Sequence, residues 1–261
     1  MILTVDIGNT VITLGGFESD SLKFISSISA TLEKTEDEYA VSILDVFRLH
    51  GVNASDFTGA IVASVVPPLN SVIEKAIAFV LKTAPLFVGP GIKSGIGIRC
   101  DIPSSVGADL IAASVGAHFT YGSPSLIIDV GTATKMTVVN KNGEFIGTSI
   151  IPGVIMGLEA LSSGTAQLPK ISLTVPSSVI CKNTADCMRS GVMYGNASLI
   201  DGMIDRIVSE YGEELSVYAT GELAGTIIPL CHHEITIDEH LVLKGLNILY
   251  QKNQVLTAKS R

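Results

Sequence analysis

Two aspartates, each closing a run of apolar and β-branched residues, are the groups in this sequence best placed to do chemistry. Residues 3–8 read LTVDIG and residues 126–131 read LIIDVG. Such runs are buried strands, and an acid at the end of one is a carboxylate delivered to the tip of a sheet. After Asp6 come Gly8, Asn9 and Thr10 and a return strand over residues 11–14. After Asp129 come Gly131, Thr132, Ala133 and Thr134, then a second β-rich return over residues 135–139. Glycine lets backbone approach closely, and short polar side chains beside turn N–H groups can hold a phosphate tail. An ordinary hairpin with a solvated aspartate at its turn reads the same at either place alone. The recurrence about half a chain apart weighs for two related halves facing each other across a cleft.

Asp109 is the third acid of interest. Residues 101–105 lead into a predicted helix with Val106, Leu110, Ala113 and Ala117 on its apolar side and Asp109 off that stripe. The helix dipole favours an acid in the first turn, so Asp109 reads as a helix-start residue or as a base. The stretch GPGIKSG over residues 89–95 fails the tests for a phosphate loop. A P-loop has Gly before its Lys, where this chain has Ile92, and residues 96–99 look extended rather than helical. It is either a mobile connector or a substrate-side loop in which Lys93 or Arg99 meets an anion. Cys231, His232 and His233 invite a metal reading, but no matching ligand pair stands at zinc spacing, so they read as structural. There is no G-x-S-x-G elbow to suggest a serine nucleophile.

The elements that position these groups alternate strand and helix, as in an α/β sheet. Thr35 and Glu38 form a capping-box pattern ahead of Tyr39, Ile43, Val46 and Phe47 at helical spacing. A buried strand over residues 59–66 stops at Pro67 and Pro68; a helix through Ile73, Ile77 and Leu81 and a strand over 85–88 follow. In the second half, a strand over 145–151 leads through Pro152 and Gly153 into a helix to Leu161, and residues 168–176 form a loop. Asn183 caps a long helix to about Tyr211, where Gly191 and Gly195 predict close helix packing or a subunit interface rather than a membrane contact. A strand over 217–221 enters a glycine turn, a helix through Val242, Leu246 and Tyr250 closes the chain, and the tail after Asn253 is expected to fray.

With 261 residues, 47% hydrophobic and 16% charged, the chain can bury a large core, and two domains are expected, 1–118 and 119–261. A formal net charge of −8 argues against a nucleic-acid surface or a polybasic membrane patch. Four cysteines without a CxxC pair, and no basic-then-apolar leader, predict a reduced, cytoplasmic chain. No apolar run reaches the ~18 residues that would suggest a membrane span.

Taken in order, the motifs DIGNT (6–10), SVVPPL (64–69), GPGIKSG (89–95), GAD (107–109), DVGTAT (129–134) and ATGELA (219–224) resemble the type III pantothenate kinases. The resemblance runs from residue 2 to about residue 250. It implies an α/β fold of two ribonuclease-H-like domains of the acetate kinase/Hsp70/actin type facing a central cleft, a homodimer, and ATP-dependent phosphorylation of pantothenate, the first step of coenzyme A synthesis. Carried over by position, Asp6, Gly8, Asn9, Thr10 and Thr13 belong to the ATP phosphate loop, with Asp6 near magnesium and Thr132 touching ATP from the second half. Asp129 is implied to bind a monovalent cation, potassium or ammonium, and Asp109 to be the base. Gly107, Ala108, Asp109, Leu110, Cys100 and Thr184 are implied to line the pantothenate pocket, Thr184 from across the dimer or nearby. Phosphoryl transfer needs positioning, a metal against the β and γ oxygens, and a carboxylate to orient the nucleophile, which agrees with that set.

The sequence departs from the family pattern at four places. Leu110 stands where Arg follows GAD, Cys100 where a Tyr is usual, Glu222 where a Gly is common, and Lys135 where a small polar residue is usual. Losing one charged hydrogen bond costs about 1.5–3 kcal/mol, so weaker pantothenate binding is one expectation. A catalytically weakened paralogue that binds nucleotide or pantothenate as a regulatory protein is the alternative. A kinase of the same fold acting on a less polar alcohol is a third reading.

Overall fold

The computed structural model describes residues 1–257, with side chains through Gln254. The chain divides into two compact units: Met1–Thr120 with Leu241 onward, and Tyr121–His240. In the first unit, β1 (Ile2–Ile7), β2 (Val11–Glu18) and β3 (Ser21–Ser29) form an antiparallel meander. Helix α1 (Glu36–Leu49) leads to β4 (Gly59–Ser64), parallel to β1, and α2 (Pro67–Leu81) leads to β5 (Leu86–Phe87), parallel to β4. The sheet order is β3-β2-β1-β4-β5. A two-residue strand β6 (Gly97–Ile98) and helix α3 (Ala108–Tyr121) complete this stretch.

The second unit repeats the plan. Strands β7 (Ser125–Val130), β8 (Ala133–Val139) and β9 (Glu144–Pro152) are an antiparallel meander, followed by α4 (Val154–Ser163) and α5 (Thr184–Tyr211). Strand β10 (Ser216–Thr220) returns parallel to β7, and past α6 (Ala224–Ile227) β11 (Thr236–Ile237) adds parallel to β10. The order β9-β8-β7-β10-β11 is that of the first sheet, so the two acid-tipped strands, β1 and β7, hold equivalent central positions. The short α6 and β11 carry no periodic signal that a sequence pattern could reveal.

Local chemistry explains most boundaries. Thr35 and Glu38 close a reciprocal capping box at α1, with Glu38 N–H donating to Thr35 Oγ1 and Thr35 N–H to Glu38 Oε2 at 2.8 Å. Pro67 and Pro68 end the run after β4 and occupy the first turn of α2, where proline's fixed φ suits a helix start. Asn183 caps α5, its side chain accepting from Asp186 N–H at 3.0 Å. The cores are contiguous within each unit: Leu3, Val5, Ile7, Ile43 and Ile73 in the first, and Leu126, Ile128, Met193 and Ile200 in the second, all buried.

Three expectations change. Helix α3 is buried on every side from Ala108 to Ala117, so it has no solvent face and Asp109 is itself buried. The cause is α7 (Leu241–Thr257), which crosses α3 with backbone nearly touching backbone. A Cβ at Gly245 would strike the Ala112 carbonyl oxygen, and one at Gly116 would strike that of Leu241. Secondly, α7 does not stay with the second half: it packs on β1 and β4, and a Cβ at Gly59 would meet the Tyr250 hydroxyl. The boundary expected after residue 118 falls after Thr120, and the unit carrying β1 is built from both ends of the chain. Thirdly, the segment after Asn253 continues as helix to Thr257, and the rest of the tail lies outside the described residues. Among the described residues no helix is long and apolar enough to cross a membrane.

Candidate active site

In the first unit, Asp6 occupies the penultimate position of β1, opposite Thr13 of β2. The turn beyond it is closed by Gly8 N–H donating to the Val11 carbonyl at 3.0 Å, which leaves the Asn9 and Thr10 side chains exposed. A Cβ at Gly8 would come within 3.1 Å of the Val11 oxygen, so the tight turn is suited to glycine. A nucleotide-borne magnesium ion takes one or two carboxylates and completes its shell with phosphate oxygens and water. Asp6, partly exposed near the end of its strand, fits that need. Among the described residues no group of three His, Cys, Asp or Glu forms a cage that could hold a metal by itself.

Asp109 lies in the first turn of α3 and is 8% exposed. Its Oδ1 folds back over the start of the helix, 2.5 Å from where a Cβ at Gly107 would stand, while the Gly107 carbonyl accepts the Ile111 N–H at 3.1 Å. Glycine at 107 thus makes room for the carboxylate, which explains the spacing of GAD physically. Ala108 and Leu110 are buried at 8% and 7% exposure, and Cys100 is half-buried upstream. The 89–95 stretch is tied to α7 rather than being a loose connector. Lys93 N–H donates to Asn253 Oδ1 and Asn253 Nδ2 donates to the Lys93 carbonyl, both at 3.1 Å.

In the second unit, the DVGTAT and ATGELA motifs form one assembly. Leu223 N–H donates to the Val130 carbonyl at 3.1 Å, and Gly221, at φ +96°, lies against the β7 tip where a Cβ would be 2.6 Å from Asp129 Oδ1. Gly153, ahead of α4, leaves space for the backbone of Gly131 and Thr132, whose carbonyl oxygens a Cβ there would strike. Thr132 is exposed on this supported turn, and Glu222 also faces solvent. Asp129 is engaged: Lys135, its register partner on β8, places Nζ 2.6 Å from Oδ2. That ammonium already places a positive charge on Asp129 Oδ2, where an added monovalent cation would have to compete with it.

Thr184 is the first residue of α5 and is exposed, whereas Gly107, Ala108 and Leu110 belong to the first unit. Nothing lies within 4 Å of a Cβ at Gly191 or Gly195, so the close helix packing expected there is absent within the described chain. The Cys231-His232-His233 stretch is anchored to α5. The Asp201 carboxylate accepts both histidine N–H groups at 2.9 to 3.1 Å, and His233 Nε2 pairs with Asp205. Burial first, then the Asp201 charge, pushes the Cys231 thiol up to about 12. In the sequence Lys135 stands out only as a departure from the family pattern. Its signal was the hairpin, since residues facing each other across β7 and β8 share a face. The supporting Gly153 showed no such signal, because its neighbours are distant in sequence.

Two sheets of one topology, each with an acid near the end of its first strand, define a doubled ribonuclease-H-like fold of the actin-like class. A ROK hexokinase from Thermus thermophilus shares it with a TM-score of 0.51 at 11% identity, over 96% of this chain and 99% of that one. A protein described as a Baf family transcriptional activator from Campylobacter jejuni does so with a TM-score of 0.60 at 16% identity, over 97% and 98%. At such identities the likeness is one of fold. Within that class the chain belongs to the type III pantothenate kinase family, which it matches over residues 2–206. The type III pantothenate kinase of Geotalea daltonii is 41% identical over 254 residues, 97% of this chain and 99% of that protein. That of Brevibacillus brevis is 39% identical over 256 residues, 97% of this chain and all of that protein.

Proposed function

We propose that this chain transfers the γ-phosphoryl group of ATP to the hydroxyl of pantothenate, giving 4′-phosphopantothenate and ADP. The observation that carries this reading is the family match together with whole-length relatives of about 40% identity that are type III pantothenate kinases. In this reading Asp6, Gly8, Asn9, Thr10, Thr13 and Thr132 are the ATP-binding residues. Magnesium beside Asp6 offsets charge on the β and γ oxygens when bound. Asp109 accepts the proton of the attacking hydroxyl, and the room left by Gly107 for its Oδ1 supports that placement. Gly107, Ala108, Leu110, Cys100 and Thr184 line the acceptor pocket.

A homodimer belongs to the same reading. Its support is α5, where open space at Gly191 and Gly195 adjoins Val179, 63% exposed. Tyr194 and Ser190 hold the 176–179 segment along that helix by donating to the Pro176 and Val179 carbonyls. Cytoplasmic residence belongs to the same reading, supported by the four cysteines, all of them unpaired.

The decisive test is a coupled ADP-release assay with ATP, magnesium and pantothenate on the unaltered protein and on Asp109→Asn. Loss of the base should lower turnover by at least about 100-fold while the far-UV spectrum and melting temperature stay put. Near-normal turnover in that variant would remove Asp109 from its role.

A further inference from the structure

The geometry points to Lys135 as a built-in cation: its ammonium takes the place of a monovalent ion at Asp129, and this chain turns over without added potassium. The inference rests on the kinase reading only for its activity arm. Lys135 Nζ stands 2.6 Å from Asp129 Oδ2, with the two side chains only 19% and 17% exposed. The pair is no chance surface contact, because Asp129 and Lys135 face each other directly in the β7/β8 register. The other oxygen is covered too: Oδ1 lies beneath Gly221 and Gly131, within 2.6 and 3.4 Å of where their Cβ atoms would stand. A second cation drawn to this carboxylate would stand beside the ammonium and be repelled by it in a water-poor setting.

At the equivalent acid of the first unit, Asp6, the register partner is Thr13, which brings no charge. In register, one acid-tipped strand sets its aspartate across from a threonine and the other across from a lysine. Lys135 neutralises Asp129 below the Gly131–Thr132 turn, so that the carboxylate does not repel a triphosphate held there. It acts as a positioning residue, through Asp129.

The test compares potassium, ammonium and choline chlorides at equal ionic strength on the unaltered protein, Lys135→Ala and Lys135→Gln. Two readouts are taken: ADP release with ATP, magnesium and pantothenate, and the melting temperature without substrates. The unaltered protein should turn over within about twofold in all three salts, with an unchanged melting temperature. The variants should lose at least about tenfold in choline and recover with potassium or ammonium, which also raise their melting temperature. Potassium activation of the unaltered protein by about tenfold, or a potassium-specific rise in its melting temperature, would overturn the inference. Should pantothenate give no turnover in any salt, the kinase reading fails while the melting comparison on the unaltered protein still decides the role of Lys135. If neither variant folds, the unaltered protein's response to potassium decides in the same way.

Discussion

The carboxylate of Asp109 and the absent side chain of Gly107 act as a pair, because Oδ1 lies 2.5 Å from the place a Cβ would take. Gly107→Ala should therefore turn the carboxylate away from its present direction. A displacement of about 1 Å at a reacting group can cost around 100-fold, so turnover should fall 10- to 100-fold with little change in melting temperature. Steady-state kinetics beside a melting curve checks this, and unchanged kinetics would show that Oδ1 has room to spare. Cysteine reactivity offers a second residue-scale prediction. With its thiol pushed up to about 12 by burial and then by Asp201, Cys231 should resist iodoacetamide at pH ~8 in the folded protein and be alkylated once the protein is unfolded in urea. Peptide mass spectrometry reads both, and rapid labelling at Cys231 in the folded protein would contradict the burial.

Helix termini and helix crossings make their own predictions. Thr35→Ala removes the acceptor of the Glu38 N–H and the partner of its carboxylate, and should cost about 1 kcal/mol by thermal or urea unfolding. At the α3/α7 crossing the ordinary rule reverses. A helical Gly→Ala change usually stabilises by up to about 1 kcal/mol, but at Gly245 the new methyl would strike the Ala112 carbonyl. Gly245→Ala should destabilise by about 1–3 kcal/mol, and a gain in stability would show that the helices can separate without loss. Capping boxes, prolines at helix starts and acid-tipped strands were legible in the sequence, because each depends on neighbours within a few residues. The all-round burial of α3 was not, since its second apolar face is covered by a helix more than a hundred residues away.

For the molecule as a whole, the return of α7 is the feature with the largest consequence. Leu241, Leu243, Leu246 and Leu249 are almost fully buried, and each contributes about 1.5–3 kcal/mol relative to exposure. Their sum rivals the ~5–15 kcal/mol by which a typical domain is stable. A chain ending at His240 should therefore lose cooperative unfolding of the unit that carries Asp6 and Asp109, read by urea denaturation with hydrogen exchange. Retained protection in β1 and β4 would refute that dependence. The sequence by itself determined the strand–helix alternation, the doubled LTVDIG and LIIDVG strands and the motif order, because periodicity, caps and turn chemistry act over short distances. Tertiary structure alone decided that both ends of the chain build one unit, that Gly153 and Gly221 brace the Asp129 turn, and that Lys135 answers Asp129. Those outcomes depend on strand register and on backbone approaching backbone after the chain has returned from far away, and no local pattern encodes such distances.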